Sequence, residues 1–125
     1  MPQEQSSSGP VVLVVENDVL LRLVTASNLR DAGFEVIEAA NSGEAIRILD
    51  RTSVDVLFSD IDMPGKMDGL ALAQWAHQRQ VGTRIILTSG RERPLGDAKE
   101  YASFLPKPYA TTDIEHLLRS VLPSP

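Results

Sequence analysis

The sequence VDVLFSDIDMPG, residues 54–65, decides the fold of this chain. Its apolar and β-branched residues predict a buried strand over 54–60, and the break at Pro64-Gly65 predicts that the strand delivers Asp60 into a loop. In open α/β sheets, the ligand crevice lies outside the carboxyl ends of the strands. The stretch therefore predicts a functional site at Asp60.

Three other segments end in polar groups in the same way. Residues 11–15 lead into Glu16-Asn17-Asp18, residues 84–87 lead into Thr88-Ser89, and segment 104–108 places Lys107 before a proline. If these strands lie side by side and parallel, acids, a hydroxyl and an ammonium group converge on Asp60. Such a combination is suited to binding and transferring a phosphoryl group.

The pattern along the chain is a repeated strand followed by a helix. Strands are predicted at residues 11–15, 34–39, 54–60, 84–88 and 103–106. Helices are predicted after cap residues Asp18, Ser42 and Thr111 or Thr112, and between the 63–69 loop and about residue 80. Segment 90–102 contains Pro94 and Gly96 and predicts only a short or irregular helix. Five such repeats with right-handed crossovers predict a doubly wound α/β domain with helices on both faces of a parallel sheet.

Length and composition describe one ordinary domain. The 125 residues, of which 42% are hydrophobic and 23% charged, are enough for one core and too few for two. Residues 1–10 predict a flexible N-terminal tail, and residues 11–122 the domain itself. The net charge of −5 argues against nucleic-acid binding, and the absence of Cys and of long apolar runs argues against disulfides and membrane spans. We expect a cytoplasmic protein.

The first predicted helix carries more apolar residues than one buried stripe accommodates. These residues are Val19, Leu20, Leu21, Leu23 and Val24. Some of them are expected to face solvent. Two interpretations stay open, namely scattered surface leucines, which are normal, and a docking patch beside the acidic loop.

The chemistry of the site follows from its residue types. A carboxylate such as that of Asp60 is a competent nucleophile toward phosphorus and forms an aspartyl phosphate. A divalent cation and a positive side chain must offset the repulsion between the two anions. Mg²⁺ accepts oxygen ligands, and Asp60, Glu16 and Asn17 offer them, together with a carbonyl of the following loop. Lys107 would neutralise the phosphoryl oxygens, and Thr88 or Ser89 would donate a hydrogen bond to one of them.

These motifs together resemble the receiver domain of two-component response regulators, in the CheY-like superfamily. The residues that carry the resemblance are Val14-Val15-Glu16-Asn17-Asp18, Asp60-Ile61-Asp62-Met63-Pro64-Gly65, Met67-Asp68-Gly69, Leu87-Thr88-Ser89 and Leu105-Pro106-Lys107-Pro108-Tyr109. The resemblance extends from Pro10 to Leu122. It implies a flavodoxin-like fold with strand order 2-1-3-4-5 and a role in phosphorelay signalling.

The resemblance also implies a role for each site residue. Asp60 is the phosphoacceptor, Glu16 and Asn17 occupy the positions of the acidic metal-binding pair, Asp62 gives its backbone carbonyl to Mg²⁺, Thr88 and Phe104 are the switch residues, and Lys107 is the catalytic lysine before a cis Pro108. A histidine kinase or a histidine phosphotransfer protein would donate the phosphoryl group. The face formed by residues 90–122 would bind an effector or a second copy, and no output domain is expected.

Three positions depart from the family pattern. Lys66 stands between the Pro-Gly turn and Met67, where many members of the family have no residue, and it is expected to be exposed to solvent. Asn17 stands where the second acid of the pair is normally Asp, and an amide oxygen ligates a hard cation without bringing a charge. Mg²⁺ affinity is therefore expected to be lower, with partial compensation by Asp18. The switch aromatic is Phe104 rather than Tyr, and so it has no hydroxyl.

Two alternative functions remain open from the sequence. A haloacid-dehalogenase-type phosphatase also carries an Asp-x-Asp motif at a strand end, as in Asp60-Ile61-Asp62, but here the motif lies on the third strand and no cap domain is present. A receiver-like binding module that is never phosphorylated is the other, and only Asn17 supports it. A flavin-binding flavodoxin is disfavoured, because no phosphate-binding loop follows the first strand.

Overall fold

A computed structural model describes residues 9–80, 82–92 and 94–123 of the protein. Most of the tail predicted for residues 1–10 lies outside the described residues. The elements are β1 (Val11–Val15), α1 (Val19–Asp31), β2 (Glu35–Ala39), α2 (Ser42–Arg51), β3 (Val56–Asp60), α3 (Gly69–Arg79), β4 (Arg84–Ser89), a 3-10 helix (Gly96–Glu100), β5 (Ala102–Pro106) and α4 (Thr111–Val121). Within these described ranges, no helix is long and apolar enough to cross a membrane.

The five parallel strands form one sheet in the order β2-β1-β3-β4-β5, which confirms the predicted fold class and strand order. The chain passes from β1 to β2 on one side of β1 and then to β3 on its other side. A ligand crevice is expected at such a switch point, outside the carboxyl ends of the strands. Glu16 directly follows β1 and Asp60 ends β3, so both acids lie at the switch point.

The register of the sheet aligns the polar residues at its carboxyl edge. Asp60 pairs with Thr88 of β4, and Ser89 pairs with Pro106 of β5. The backbone N–H of Lys107 then donates to the Ser89 carbonyl over 2.9 Å. The hydroxyl and the ammonium group therefore follow Asp60 on successive strands of one edge.

The sheet separates two hydrophobic cores. Strand β3 is buried along its whole length, which explains the nearly continuous apolar sequence that precedes Asp60. One core, between the sheet and helices α2 and α3, includes Leu13, Leu57, Leu87, Leu49 and Leu72. The other core, between the sheet and helices α1 and α4, includes Val14, Phe58, Ile86, Leu29 and Leu118. Alternate side chains of each central strand thus fix the sheet between two helical layers.

Two of the predicted cap residues are wrong. Helix α2 is capped by Asn41, whose side chain accepts from the Glu44 N–H over 2.9 Å, whereas the Ser42 hydroxyl donates to the Met67 carbonyl. Helix α4 begins at Thr111 with Ala110 as its N-cap, and so neither threonine is the cap. There the Asp113 carboxylate accepts from the Ala110 N–H over 2.9 Å and stabilises this helix end in place of a hydroxyl.

The fourth connection contains a 3-10 helix in place of an α-helix, so the fold has four α-helices rather than five in the described part of the chain. This agrees with the short or irregular helix predicted for residues 90–102. In this 3-10 helix only Ala98 is buried, and Gly96 has a positive φ of 59°. Leu95 and Tyr101 on either side of it are partly buried against the α2–α3 core, so three side chains provide most of the apolar contact that holds this segment.

Gly69, the first residue of α3, lies directly against the backbone of the Asp60 loop. A Cβ added at Gly69 would lie 2.1 Å from the Asp60 carbonyl oxygen and 2.6 Å from the Ile61 Cα. Because backbone cannot yield as a flexible side chain does, we expect Gly69→Ala to lower the free energy of unfolding by about 1–3 kcal/mol. Chemical denaturation measures this loss. The control is Gly82→Ala, whose added Cβ meets no atom within 4 Å; equal stability of the two variants would contradict the prediction.

Candidate functional site

The site consists of two buried carboxylates held around one ammonium group. Asp60 is 3% exposed and Glu16 is 4% exposed. The Lys107 Nζ lies 2.9 Å from Glu16 Oε1 and 3.4 Å from Asp60 Oδ1. The structure therefore brings together three of the residues that the sequence predicted to converge. The Lys107–Pro108 peptide bond is cis, as the resemblance implies.

In both Asp60 and Lys107, burial and the neighbouring opposite charge shift the pKa of the side chain in opposite directions. Burial raises the pKa of Asp60 above its ordinary value of 3.8, repulsion from Glu16 adds to the increase, and the Lys107 ammonium and the Asp62 N–H oppose it. Burial alone would lower the pKa of Lys107, but Glu16 and Asp60 together raise it above 10.5. Lys107 therefore stays charged, while the Asp60 carboxylate is a destabilised anion whose charge is only partly offset.

Thr88 lies beside Asp60 with its hydroxyl buried. The residue is 2% exposed, and its Oγ1 makes no hydrogen bond to the described residues. A buried hydroxyl without a partner costs free energy unless a ligand or a structural change supplies one. The Thr88 carbonyl accepts from the Ile61 N–H over 2.8 Å, so the strand end is held against the Asp60 loop.

Asp62 connects this loop to the end of β4, a contact that the sequence did not indicate. Its Oδ2 accepts a hydrogen bond from the Ser89 hydroxyl, and its Oδ1 lies 3.2 Å from the Arg91 guanidinium. Its backbone N–H donates to Asp60 Oδ1 over 3.3 Å. The resemblance gave Asp62 a role through its carbonyl only. No sequence signal pairs Asp62 with Arg91, because the contact depends on two loops that meet only in the folded chain.

The loop after β1 offers oxygen ligands of the hard type. Asn17 is exposed and lines a groove with Asn41 and Lys66. Asp18 caps α1, since its Oδ1 accepts from the Leu21 N–H over 3.0 Å. Lys66 is exposed, as the sequence predicted.

The donor set fits Mg²⁺ in kind but supplies few charges. Within residues 9–80, 82–92 and 94–123, no group of three or more His, Cys, Asp or Glu side chains is arranged to hold a metal ion. A cation at this site would rely on the Glu16 and Asp60 carboxylates, together with amide or carbonyl oxygens and water. Mg²⁺ commonly keeps several waters and one or two carboxylates, so this donor set is compatible with it.

The predicted switch aromatic, Phe104, is half-buried in β5 and packs against the α2–α3 core. It lines a groove of about 560 Å³ with Pro108, Leu117 and other residues of β5 and α4. No sequence signal indicated that a second aromatic residue, Tyr109, is held by both a ring contact and a hydrogen bond. Tyr109 lies edge-on to Phe58, with ring centroids 5.5 Å apart, and its hydroxyl is 3.2 Å from Thr25 Oγ1 of α1.

The raised pKa of Asp60 gives a pH dependence with a definite sign. Between 3.8 and the raised pKa, the folded protein keeps a proton that the unfolded chain has lost, so its stability falls as pH rises through this window. At pH values above the raised pKa of Asp60, the whole of this loss of stability remains. Asp60→Asn carries no such charge, and we expect it to unfold at a higher temperature than the native protein at about pH 7 without metal. Thermal melts measure the difference, which should shrink in acid; a less stable variant at neutral pH contradicts the prediction.

Fold and site define a class, namely a doubly wound α/β domain with an acidic pocket and a lysine at its switch point. The sequence pattern of the response regulator receiver domain matches residues 12–119. The chain therefore belongs to the response regulator receiver domain family and is a receiver domain of two-component systems. The matches do not favour the phosphatase or the unphosphorylated binding module, and receiver domains are not conventional turnover enzymes.

Individual relatives agree with this assignment. The transcriptional regulatory protein PdtaR of Mycobacterium tuberculosis is 28% identical in a match that covers 82% of this chain and 52% of PdtaR. The sensor kinase CckA of Brucella abortus is 31% identical in a match that covers 93% of this chain and 13% of CckA. The solved structure of the chemotaxis protein CheY4 of Vibrio cholerae has a TM-score of 0.83 at 29% identity and covers 91% of this chain and 99% of CheY4. The chain thus spans about half the length of PdtaR and a small part of CckA.

Proposed function

We propose that this domain accepts a phosphoryl group on Asp60 from the phosphohistidine of a histidine kinase or a histidine phosphotransfer protein. Receiver domains interact with histidine kinases, and the proposal assigns that interaction to this chain. The observation that carries it is the buried Asp60 carboxylate at the switch point, with Lys107 3.4 Å from one of its oxygens. A structural ion pair would not require two buried acids to share one lysine.

In the proposed step, one oxygen of Asp60 forms a bond to phosphorus as the bond from phosphorus to the donor imidazole nitrogen breaks. The bonding electron pair leaves with that nitrogen. Lys107, already charged, offsets the negative charge on the phosphoryl oxygens. When bound, Mg²⁺ would supply further charge compensation, and Glu16, Asn17, Asp60 and the Asp62 carbonyl would hold it. The domain would thus catalyse its own modification.

Thr88 and Phe104 are proposed as the switch. A phosphoryl group on Asp60 adds charge and acceptor oxygens next to the Thr88 hydroxyl, which has no hydrogen-bond partner among the described residues. The hydroxyl gains a partner if it moves toward the phosphoryl group. Phe104 then rearranges within its groove and changes the surface formed by residues 90–122, where an effector or a second copy would bind.

The exposed apolar residues of α1 are proposed as the surface that receives the phosphodonor. The sequence predicted that some of them would face solvent, and this is confirmed. They are Val19, Leu20, Leu23 and Val24, between 48% and 71% exposed. They begin three residues after Glu16, and a donor docked on them would lie beside the acidic pocket.

The cytoplasmic location expected from the sequence stays a prediction.

Acetyl phosphate tests the proposed function directly. The full chain is incubated with acetyl phosphate, with and without Mg²⁺, and its intact mass is measured after acid quenching. We expect the added mass of one phosphoryl group per chain and faster labelling when Mg²⁺ is present. Unlabelled protein under conditions where a known receiver domain is fully labelled would contradict the proposal. Repeated rapid hydrolysis of a phosphate monoester would instead support a phosphatase.

Amide hydrogen exchange locates the proposed switch. Segment 90–102 follows Thr88, and among its described residues Ala98 alone is fully buried, so a small shift of Thr88 should propagate into the segment. We expect phosphorylation, or a beryllofluoride mimic, to alter exchange most within residues 90–102 and around Phe104. Helix α1 should change less and serves as the internal control. Changes confined to the Asp60 loop, with residues 90–104 unchanged, would disprove the switch surface.

A further inference from the structure

The backbone N–H and the backbone carbonyl of Glu16 both form hydrogen bonds with groups outside the pocket. Its N–H donates to the Ala39 carbonyl of β2 over 3.0 Å. Its carbonyl accepts from an Nη1–H of Arg22 in α1 over 2.9 Å. The Nε of the same guanidinium lies 3.3 Å from the Glu38 carboxylate of β2. Arg22 therefore connects helix α1, strand β2 and the backbone of one pocket acid.

We propose that Arg22 is a positioning residue that holds the Glu16 carboxylate in the pocket and thereby sets the affinity of the site for a divalent cation. The inference rests on the proposed function, because it assigns Glu16 to the cation site. Arg22 does not touch the reacting atoms. It acts on the backbone from which the Glu16 side chain extends.

The Glu16 side chain has little freedom to correct a displaced backbone. Its Oε1 pairs with Lys107 over 2.9 Å, and its Oε2 accepts from the Asp18 N–H over 3.1 Å. Both carboxylate oxygens are thus directed by fixed partners in a buried space. A shift of the Glu16 peptide would carry the carboxylate away from at least one of these partners. Groups that orient a metal ligand typically contribute 10–100-fold in metal affinity.

The guanidinium suits this position better than an ammonium would. Nε and Nη1 point in fixed directions, so one planar group reaches the Glu38 carboxylate and the Glu16 carbonyl together. The Arg22 side chain is 16% exposed and Glu38 is 22% exposed, which keeps both contacts largely away from water. A lysine would keep the charge but cannot reproduce the fork.

Arg30 provides a matched control on the same network. Its Nη2 lies 3.3 Å from the other oxygen of Glu38, and it donates to the Val36 carbonyl over 3.0 Å. Within the described part of the chain its hydrogen bonds and ion pairs go to Val36 and Glu38 and not to Glu16, and its side chain is 50% exposed. Replacing Arg30 removes one positive charge and one contact with Glu38, as replacing Arg22 does, but it leaves the hydrogen bond to the Glu16 carbonyl in place.

The experiment compares Arg22→Met, Arg22→Lys and Arg30→Met with the native chain. In metal-free protein, NMR measures the chemical shifts and exchange rates of the Glu16 and Asp18 amides. Calorimetric titration with Mg²⁺ then gives the dissociation constant of each variant, after circular dichroism has confirmed that it is folded. We expect Arg22→Met to speed exchange at both amides and to weaken Mg²⁺ binding about tenfold or more. Arg22→Lys should show most of the same loss, and Arg30→Met should stay within about twofold of the native chain.

The outcomes separate the inference from the proposed function. Unchanged amides and native Mg²⁺ affinity in Arg22→Met overturn the inference, as does an equal loss in Arg30→Met. Full recovery by Arg22→Lys would show that charge alone matters and would also overturn it. If the native chain binds no Mg²⁺ and takes no label, the proposed function fails. In that case the claim that Arg22 sets the cation affinity is also overturned. The amide measurements on metal-free protein still decide whether Arg22 positions Glu16. If Arg22→Met does not fold, Arg22→Lys against Arg30→Met makes the same comparison.

Discussion

Replacing Asp60 by Asn abolishes phosphoryl labelling by acetyl phosphate and by a histidine kinase, and this is the largest effect that we expect. The amide has nearly the same shape but no anionic oxygen, and it is a far weaker nucleophile toward phosphorus. Glu16, the other buried acid of the pocket, is held more closely, with Lys107 at 2.9 Å and the Asp18 N–H at 3.1 Å, than Asp60, whose Lys107 and Asp62 N–H contacts are 3.4 Å and 3.3 Å. It is therefore not expected to take over the role of acceptor. Intact-mass measurement should show less than about one part in a hundred of the native labelling.

Asp55→Asn is the matched control for this substitution. Asp55 lies one residue before β3, at the opposite end of the strand from Asp60, and its carboxylate accepts from the Val11 N–H over 2.7 Å. An asparagine retains an acceptor there, so this variant should be labelled like the native chain. If Asp60→Asn is labelled at the native level, or if peptide mapping finds the phosphoryl group on another acid, then Asp60 is not the acceptor.

The fold was predictable because the residue composition of each central strand indicates whether the strand is buried. A strand that is buried on both faces must be apolar at nearly every position, and the run before Asp60 meets this condition. The side chains that end such strands are few and polar. In a parallel sheet they must share one edge, so the convergence of Glu16, Asp60 and Lys107 was predictable on the condition that the strands lie side by side, and the resemblance supplied their order. Their catalytic roles remain predictions.

The contacts that the sequence did not reveal depend on loops or on a choice between adjacent residues. Asn41 and Ser42 are both good cap residues. Asn41 is the cap because its backbone is extended, with φ −160° and ψ 175°, and its Oδ1 accepts from the Glu44 N–H, whereas Ser42 is already the first helical residue. At α4 the capping interaction comes from Asp113 rather than from a hydroxyl. The bridge from Asp62 to Ser89 and Arg91 and the bond from Arg22 to Glu16 are of the same kind. Each joins separate segments whose distance is known only after folding.

Asn17→Asp should tighten Mg²⁺ binding by about 1–3 kcal/mol, which is roughly 5–150-fold in the dissociation constant. The substitution exchanges a neutral amide oxygen for a charged one in the loop that also holds Glu16. The sequence suggested that Asp18 would compensate in part for the missing charge. In the structure Asp18 caps α1 through the Leu21 N–H, so its carboxylate already has a partner. We therefore expect the full benefit of the added charge to appear.

The control for Asn17→Asp is Asn41→Asp, which adds the same charge to the same groove. Asn41 lines this groove with Asn17 but lies on the loop after β2, and Asp caps a helix as well as Asn does. If charge in the groove were sufficient, both variants would bind Mg²⁺ more tightly; if ligation next to Glu16 is required, only Asn17→Asp will. Calorimetric titrations at one ionic strength compare them with the native chain. Equal affinity of the Asn17→Asp variant and the native chain would show that another oxygen already fills the position. The reduced charge would then have no consequence for the metal.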